Sequence, residues 1–207
     1  MKRLSVVGLL VAALCLMIAG TASAKGPKNL TLSTAKGPLA AGANVKAEST
    51  NLIFETSAGN LECSTNIIEG TVGNNGAKKD KGSITKEEST GTEAGGQCKT
   101  TTPFGPTTIT TSNLPWEVIF TSKGANEVKA HKVSFTSTFG GGVACTFEAS
   151  KVKSSFTIGG PLSLSTTKQK FKASKKISNP QCPKEGTLTG TWSVTSGGEV
   201  VSTELTL

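Results

Sequence analysis

One order of features occurs twice along this chain: an alternating apolar strand, a glycine turn, a strand carrying a cysteine, then a second cysteine and a tryptophan. That repetition limits the possible folds more than any other feature. Leu52 to Cys63 runs parallel to Val133 to Cys145, and Cys145 follows Cys63 by 82 residues while Cys182 follows Cys98 by 84. A threonine-rich strand and Trp116 or Trp192 then close each half. A low-complexity chain rich in Ser, Thr and Gly produces some likeness by chance. The shared order of Phe, Gly, Cys, Cys and Trp favours an internal duplication instead.

The amino terminus sets the redox setting in which those cysteines fold. Met1-Lys2-Arg3, the apolar run Leu4 to Ile18 and the small residues Ala22-Ser23-Ala24 are the three parts of a secretory signal peptide. The run is shorter than the ~20 residues of a spanning helix, so cleavage before Lys25 is expected and no transmembrane segment remains in the mature chain. Cys15 leaves with residues 1–24, and an oxidising compartment makes Cys63, Cys98, Cys145 and Cys182 two disulfides. Four cysteines allow three pairings. If the halves are duplicates, each carries its own bridge, Cys63 with Cys98 and Cys145 with Cys182, each contributing on the order of 3 kcal/mol through loop closure.

The strand signal has period two. Val133, Phe135 and Phe139 share one parity, as do Val143, Cys145, Phe147 and Ala149 after the turn Gly140 to Gly142. Val152, Phe156 and Ile158 take the other parity, which calls for a bulge or corner near Ser150-Lys151. No apolar residues recur at helical spacing over three turns, which excludes a helical bundle or coiled coil. The expected fold is all-β and antiparallel, a β-sandwich or meandering barrel built from two duplicated halves. Residues 1–24 are the signal peptide, 25–49 a leader that covers an edge, and 50–207 a β domain with halves 50–122 and 131–207. The weakest stretch is Gly73 to Gly96, expected as exposed turns around one strand, Ser83 to Glu88.

Several kinds of chemistry are short of residues. The net charge is +8, two units of it on Lys2 and Arg3, so the mature chain holds no arginine. Bidentate recognition of phosphate or guanine needs the guanidinium fork, which argues against sequence-specific nucleic-acid binding. A hydrolytic triad would have to use His131 and Asp80, the only residues of their types, and lysines flank that histidine. Zinc lacks ligands once the cysteines are bridged, and Asp80 with Glu87-Glu88 lies among lysines without EF-hand spacing, so no metal or other cofactor is expected. Trp116 and Trp192 are expected in the core rather than on a sugar-stacking face. Lys168, Lys170 and Lys172 lie on one strand face, with Lys175 and Lys176 beyond. They form a candidate binding stripe for an anionic polymer, or a solvated face that discourages edge pairing.

Ser49 to Val72, Ser112 to Trp116 and Cys182 to Leu188 together resemble a group of uncharacterised secreted, β-rich, two-disulfide proteins of actinobacteria. The resemblance covers most of the mature chain and implies export and a two-disulfide β architecture. It brings no activity, ligand or catalytic residue. The function expected is a secreted, non-enzymatic binding or structural module at the cell envelope or outside the cell, with an anionic wall polymer or an extracellular protein as partner. The alternative is a secreted hydrolase or enzyme inhibitor acting through an unrecognised loop.

Overall fold

A computed structural model describes residues 29–122, 126–174 and 179–206. Residues 1–24, expected to be a signal peptide, and Lys175 and Lys176 lie outside these residues. The strands of the first half-chain are β1 (Asn29–Thr34), β2 (Gly37–Pro38), β3 (Asn44–Ser49), β4 (Leu52–Thr56), β5 (Gly59–Cys63), β6 (Thr65–Asn74), β7 (Asp80–Thr90), β8 (Lys99–Thr100), β9 (Thr107–Ser112) and β10 (Trp116–Thr121). Those of the second are β11 (Glu127–Phe139), β12 (Ala144–Ser155), β13 (Gly160–Pro161), β14 (Ser163–Ala173), β15 (Glu185–Ser196), β16 (Glu199–Val200) and β17 (Ser202–Thr206).

All pairings are antiparallel, and the fold is a closed barrel of eight staves with further strands outside it. Going round the wall, β3, β6, β7, β10, β11, β12, β14 and β15 follow one another in chain order, and β15 returns to β3 with Val194 opposite Ala47. Each half-chain thus supplies four neighbouring staves. Closure leaves the barrel without a free sheet edge, which removes the aggregation hazard of an open strand.

Two staves are longer than their labels. Ser49 pairs Asn66 and Leu52 pairs Cys63 in one continuous register, so β3–β4 and β5–β6 form a single long hairpin. Similarly, β9 and β10 lie end to end along β11, interrupted at Asn113 to Pro115, where the Leu114–Pro115 bond is cis.

The corner expected near Ser150-Lys151 is present. Ala149 and Val152 are both buried while Ser150 and Lys151 are exposed, and the facing strand changes parity at the same level, with Lys132 at φ 57°. This double change lets long strands curve while keeping apolar residues inside at both ends.

A four-stranded sheet, β13-β17-β1-β2, closes one end. Leu30 and Leu32 of β1 pack there with Leu162, Val194 and Val201. The Asn75 side chain holds β1 in place: its Oδ1 accepts from the Leu32 amide at 2.7 Å, and its Nδ2 donates to the carbonyls of Leu32 and Leu39. The segment around Asn75 is therefore an anchor rather than only an exposed turn. The strand beyond it, β7, is longer than the periodicity indicated, and Asp80 at its start is buried. The leader covers the barrel mouth with β1 and also supplies the stave β3.

The other end is filled by aromatics from both half-chains. Phe54 makes edge contacts with Phe135, Phe147 and Phe171 at centroid distances of 5.1, 4.7 and 5.9 Å. The bridges stand at this end, Cys63–Cys98 and Cys145–Cys182, as the half-chain correspondence predicts. Among the described residues Val200 is the one large apolar side chain that is exposed. No helix among the described residues is long and apolar enough to cross a membrane.

Candidate functional site

Between the phenylalanine cluster and the leucine cap the barrel holds a partly open cavity of about 190 Å³. Phe54, Phe135, Phe171, Leu188, Trp116 and Trp192 are among its walls, and its surface is overwhelmingly apolar. A dry engineered cavity of ~150 Å³ with comparable walls takes up benzene, so this space is on the scale of one six-membered ring. Eight staves give a barrel interior suited either to side-chain filling or to one small ligand.

Both tryptophans are buried in the wall, as expected for core residues. Glycine makes room for one of them: a Cβ at Gly190 would stand 2.7 Å from Cη2 of Trp192 and 3.1 Å from Leu52 Cδ1. The Trp192 indole N–H then donates to Asn66 Oδ1 at 2.6 Å. Asn66 Nδ2 donates to Glu87 Oε1 and to Ser89 Oγ, and the Ser89 hydroxyl donates to Glu87 Oε1 at 2.5 Å. Three staves, β15, β6 and β7, therefore converge on one carboxyl group. Buried polar groups are normally satisfied. Here every member is, except Glu87 Oε2, which is out of contact with solvent and has no partner among the described residues.

Glu87 faces inward because β7 carries a bulge. Glu69 pairs Lys86 but Gly70 pairs Ile84, leaving Thr85 as an extra residue. Without it, the alternation that puts Ile84 inside would bring Lys86 and Glu88 in as well. The extra residue turns Glu87 and Ser89 to the cavity and sends Lys86 and Glu88 out, where they form an ion pair. Burial is the main cause that pushes the Glu87 carboxyl above its ordinary range. The Ser89 and Asn66 hydrogen bonds oppose that shift, and the charge of Glu88 adds to it.

The sequence-derived candidates fall elsewhere. Asp80 Oδ1 accepts from the Ala77 amide at 2.9 Å, and burial raises its carboxyl pKa. His131 stands at the β11 parity change with Nε2 buried and without a partner, and no hydrogen bond joins it to Asp80 among the described residues. No group of three metal-ligating side chains occurs among the described residues. Lys168, Lys170 and Lys172 are exposed along the outer face of β14, with Phe171 buried on the other. Since β14 lies between β12 and β15 inside a closed wall, protection of a free edge does not explain them. Lys172 is flanked in register by Glu148 and Glu185, which divides the stripe into a mixed-charge patch at that end.

Asn66 and Ser89 were not singled out by the sequence, and Glu87 entered only as a rejected calcium ligand. The one signal for them is the broken alternation around Thr85, which acquires meaning only once the register with β6 is known. Compared with protein-family models, with curated proteins and with solved structures, the chain matches none.

Proposed function

We propose that this protein is a secreted, non-enzymatic binding module acting at the cell envelope or outside the cell, and that the barrel interior is its binding site. The observation that carries the reading is the cavity of about 190 Å³ inside the barrel, whose exposed surface is mostly apolar and whose wall includes the Asn66, Glu87 and Ser89 side chains. Small-molecule sites have this construction: apolar walls that exclude water, and few polar groups that fix orientation. Two disulfides support export. Kinship with the actinobacterial group belongs to the same proposal.

Toluene serves as the test ligand. A molecule that binds only the folded state at 100 times its Kd stabilises that state by ~2.7 kcal/mol. For a chain of this length this is a rise in Tm of roughly 5 to 10 °C. The reading fails if none of benzene, toluene, phenol and cyclohexanol raises Tm or gives heat on titration.

A second reading rests on the exposed lysines of β14. They would hold the protein loosely on an anionic envelope polymer through charge alone, an attraction screened by salt. Washing envelopes with rising salt tests it: release at moderate salt supports the reading, and release by buffer alone removes it.

A further inference from the structure

We propose that the barrel takes up an anion with a short apolar chain, which enters between β12 and β14, leaves its charged head on the lysines outside and puts its chain into the cavity. This rests on the cavity being a binding site and adds the ligand class and the way in.

The ladder between these two staves is interrupted. Phe147 pairs Ala173 and Glu148 pairs Lys172 at one end, and Ser155 pairs Ser165 at the other, but no ladder pair joins 149–154 to 166–171. Both strands turn a corner at this level. The corner of β12 is at Ser150-Lys151, and β14 gains an extra residue beside Lys168, whose φ is 46°. Corners that meet in this way disrupt the pairing between their strands. Side chains stand in for the ladder: the Lys153 amide donates to Gln169 Oε1 at 3.0 Å, the Lys168 amide donates to Thr189 Oγ1 at 3.2 Å, and the Ser154 and Thr166 hydroxyls bond each other at 2.6 Å. Parting this seam breaks side-chain bonds that water replaces, and unpairs no strand.

The two sides of the seam differ in character. Val152, Ser154, Thr166 and Phe171 line the cavity on the inside. Lys151, Lys153, Lys168 and Lys170 are exposed outside, and of these four only Lys153 has an acidic partner among the described residues, Glu127 Oε1 at 3.3 Å.

Inside, a charged head would find no partner. The polar side chains of the cavity wall are engaged with one another: Asn66, Glu87 and Ser89 in their network, Ser154 with Thr166, and Thr71 with Ser83 at 3.1 Å. Glu87 Oε2 is shut off from the space, and the exposed Lys81 ammonium pairs with Glu117 at 3.5 Å. Thr111 adds one neutral hydroxyl. A charge moved into such a space loses its hydration without compensation, whereas at the lysine rim it keeps water and meets opposite charge. The cavity volume limits the chain inside to about six carbons, the bulk of the ring that ~150 Å³ admits.

Octanoate is the probe, and the fluorescence of Trp116 and Trp192, which line the cavity, reports what enters. At low salt octanoate is expected to bind roughly tenfold tighter than octanol, through about three lysine contacts, and added salt erases the difference. Octyltrimethylammonium is expected to bind more weakly than either. Lys151→Gln combined with Lys170→Gln removes the octanoate advantage and leaves octanol binding unchanged. A disulfide joining Ser154→Cys to Thr166→Cys closes the seam and abolishes octanoate binding. The same bridge between Thr71→Cys and Ser83→Cys, register partners within the β6–β7 ladder, preserves it.

Octanol binding as tightly as octanoate at low salt, or octyltrimethylammonium binding tightest, overturns the anionic class, and both are measured on the unaltered protein. Undiminished octanoate binding in the protein bridged across the seam overturns the route. Toluene binding without octanoate binding overturns this inference alone and leaves the cavity reading intact. Absence of binding by toluene, octanol and octanoate overturns the cavity reading as well.

Discussion

Trp192→Phe tests whether the buried network is built as described. The substitution removes the indole N–H that donates to Asn66 Oδ1 at 2.6 Å and orphans that oxygen on a residue only 2% exposed. An orphaned buried acceptor costs about 1 to 3 kcal/mol. Replacing the indole with a phenyl ring also enlarges the cavity by roughly 40 Å³, which at ~24 cal/mol per Å³ adds about 1 kcal/mol. The expected loss is therefore ~2 to 4 kcal/mol, or a fall in Tm of about 5 to 15 °C for a chain of this size.

Its counterpart in the first half-chain is the control. Trp116 is equally buried, but its N–H donates to the backbone carbonyl of Ser112, an exposed residue to which water has access. Trp116→Phe should then cost ~1 to 1.5 kcal/mol, mostly from volume. Urea denaturation of both variants gives the two numbers. Equal losses, or a Trp192→Phe loss below about 1 kcal/mol, would refute the network's energetic role.

Three further outcomes follow from the same geometry. Replacing Cys63 and Cys98 by alanine should cost about 3 to 4 kcal/mol of unfolding free energy for a separation of 35 residues, and the Cys145, Cys182 pair, 37 apart, a similar amount; losses below ~1 kcal/mol would show that the reduced chain retains the closure. Gly190→Ala should destabilise by ~1 to 3 kcal/mol through the clash with Trp192, whereas Gly141→Ala, whose Cβ meets open space, should fall within ~0.5 kcal/mol of neutral in the same urea assay. Glu87 has a raised native pKa, so its contribution to stability is complete below its ordinary value of 4.5 and is lost as pH rises through the native one. Glu87→Gln removes that dependence, so its urea midpoint relative to wild type should improve between about pH 4 and pH 8, and a difference flat with pH would contradict the raised pKa.

How much of this was legible in the sequence depends on the range of the interaction. The hairpin of β11 and β12 and the corner after Ala149 follow from period-two alternation and the Gly140 to Gly142 turn, which are local. The bridges follow from compartment and repeated spacing. Barrel closure does not: nothing in β3 or β15 separately says that Ala47 will lie opposite Val194, because both are ordinary alternating strands and only completion of the wall brings them together. The β14 strand illustrates an intermediate case. Pro161 to Ser165 and Lys168 to Ala173 read as two strands, but Ser163–Ala173 is one strand, with Lys168 at φ 46° absorbing the change of parity between buried Thr166 and buried Phe171, while Pro161 belongs to β13. Glu87 was hidden for the same reason. An acidic pair among lysines has the composition of a solvated face, and one extra residue in β7 reverses which acid is inside.

A crystal of residues 25–207 soaked with bromobenzene would test the central claim, that both half-chains close one barrel around a space for a small apolar molecule. Anomalous scattering locates the bromine without reference to the rest of the density. The account predicts a single strong site inside the barrel, between Trp192 and the Phe54–Phe171 cluster, with the leucine cap in place above it. Bromine found only on the outer surface, or an interior already filled by side chains, would contradict it.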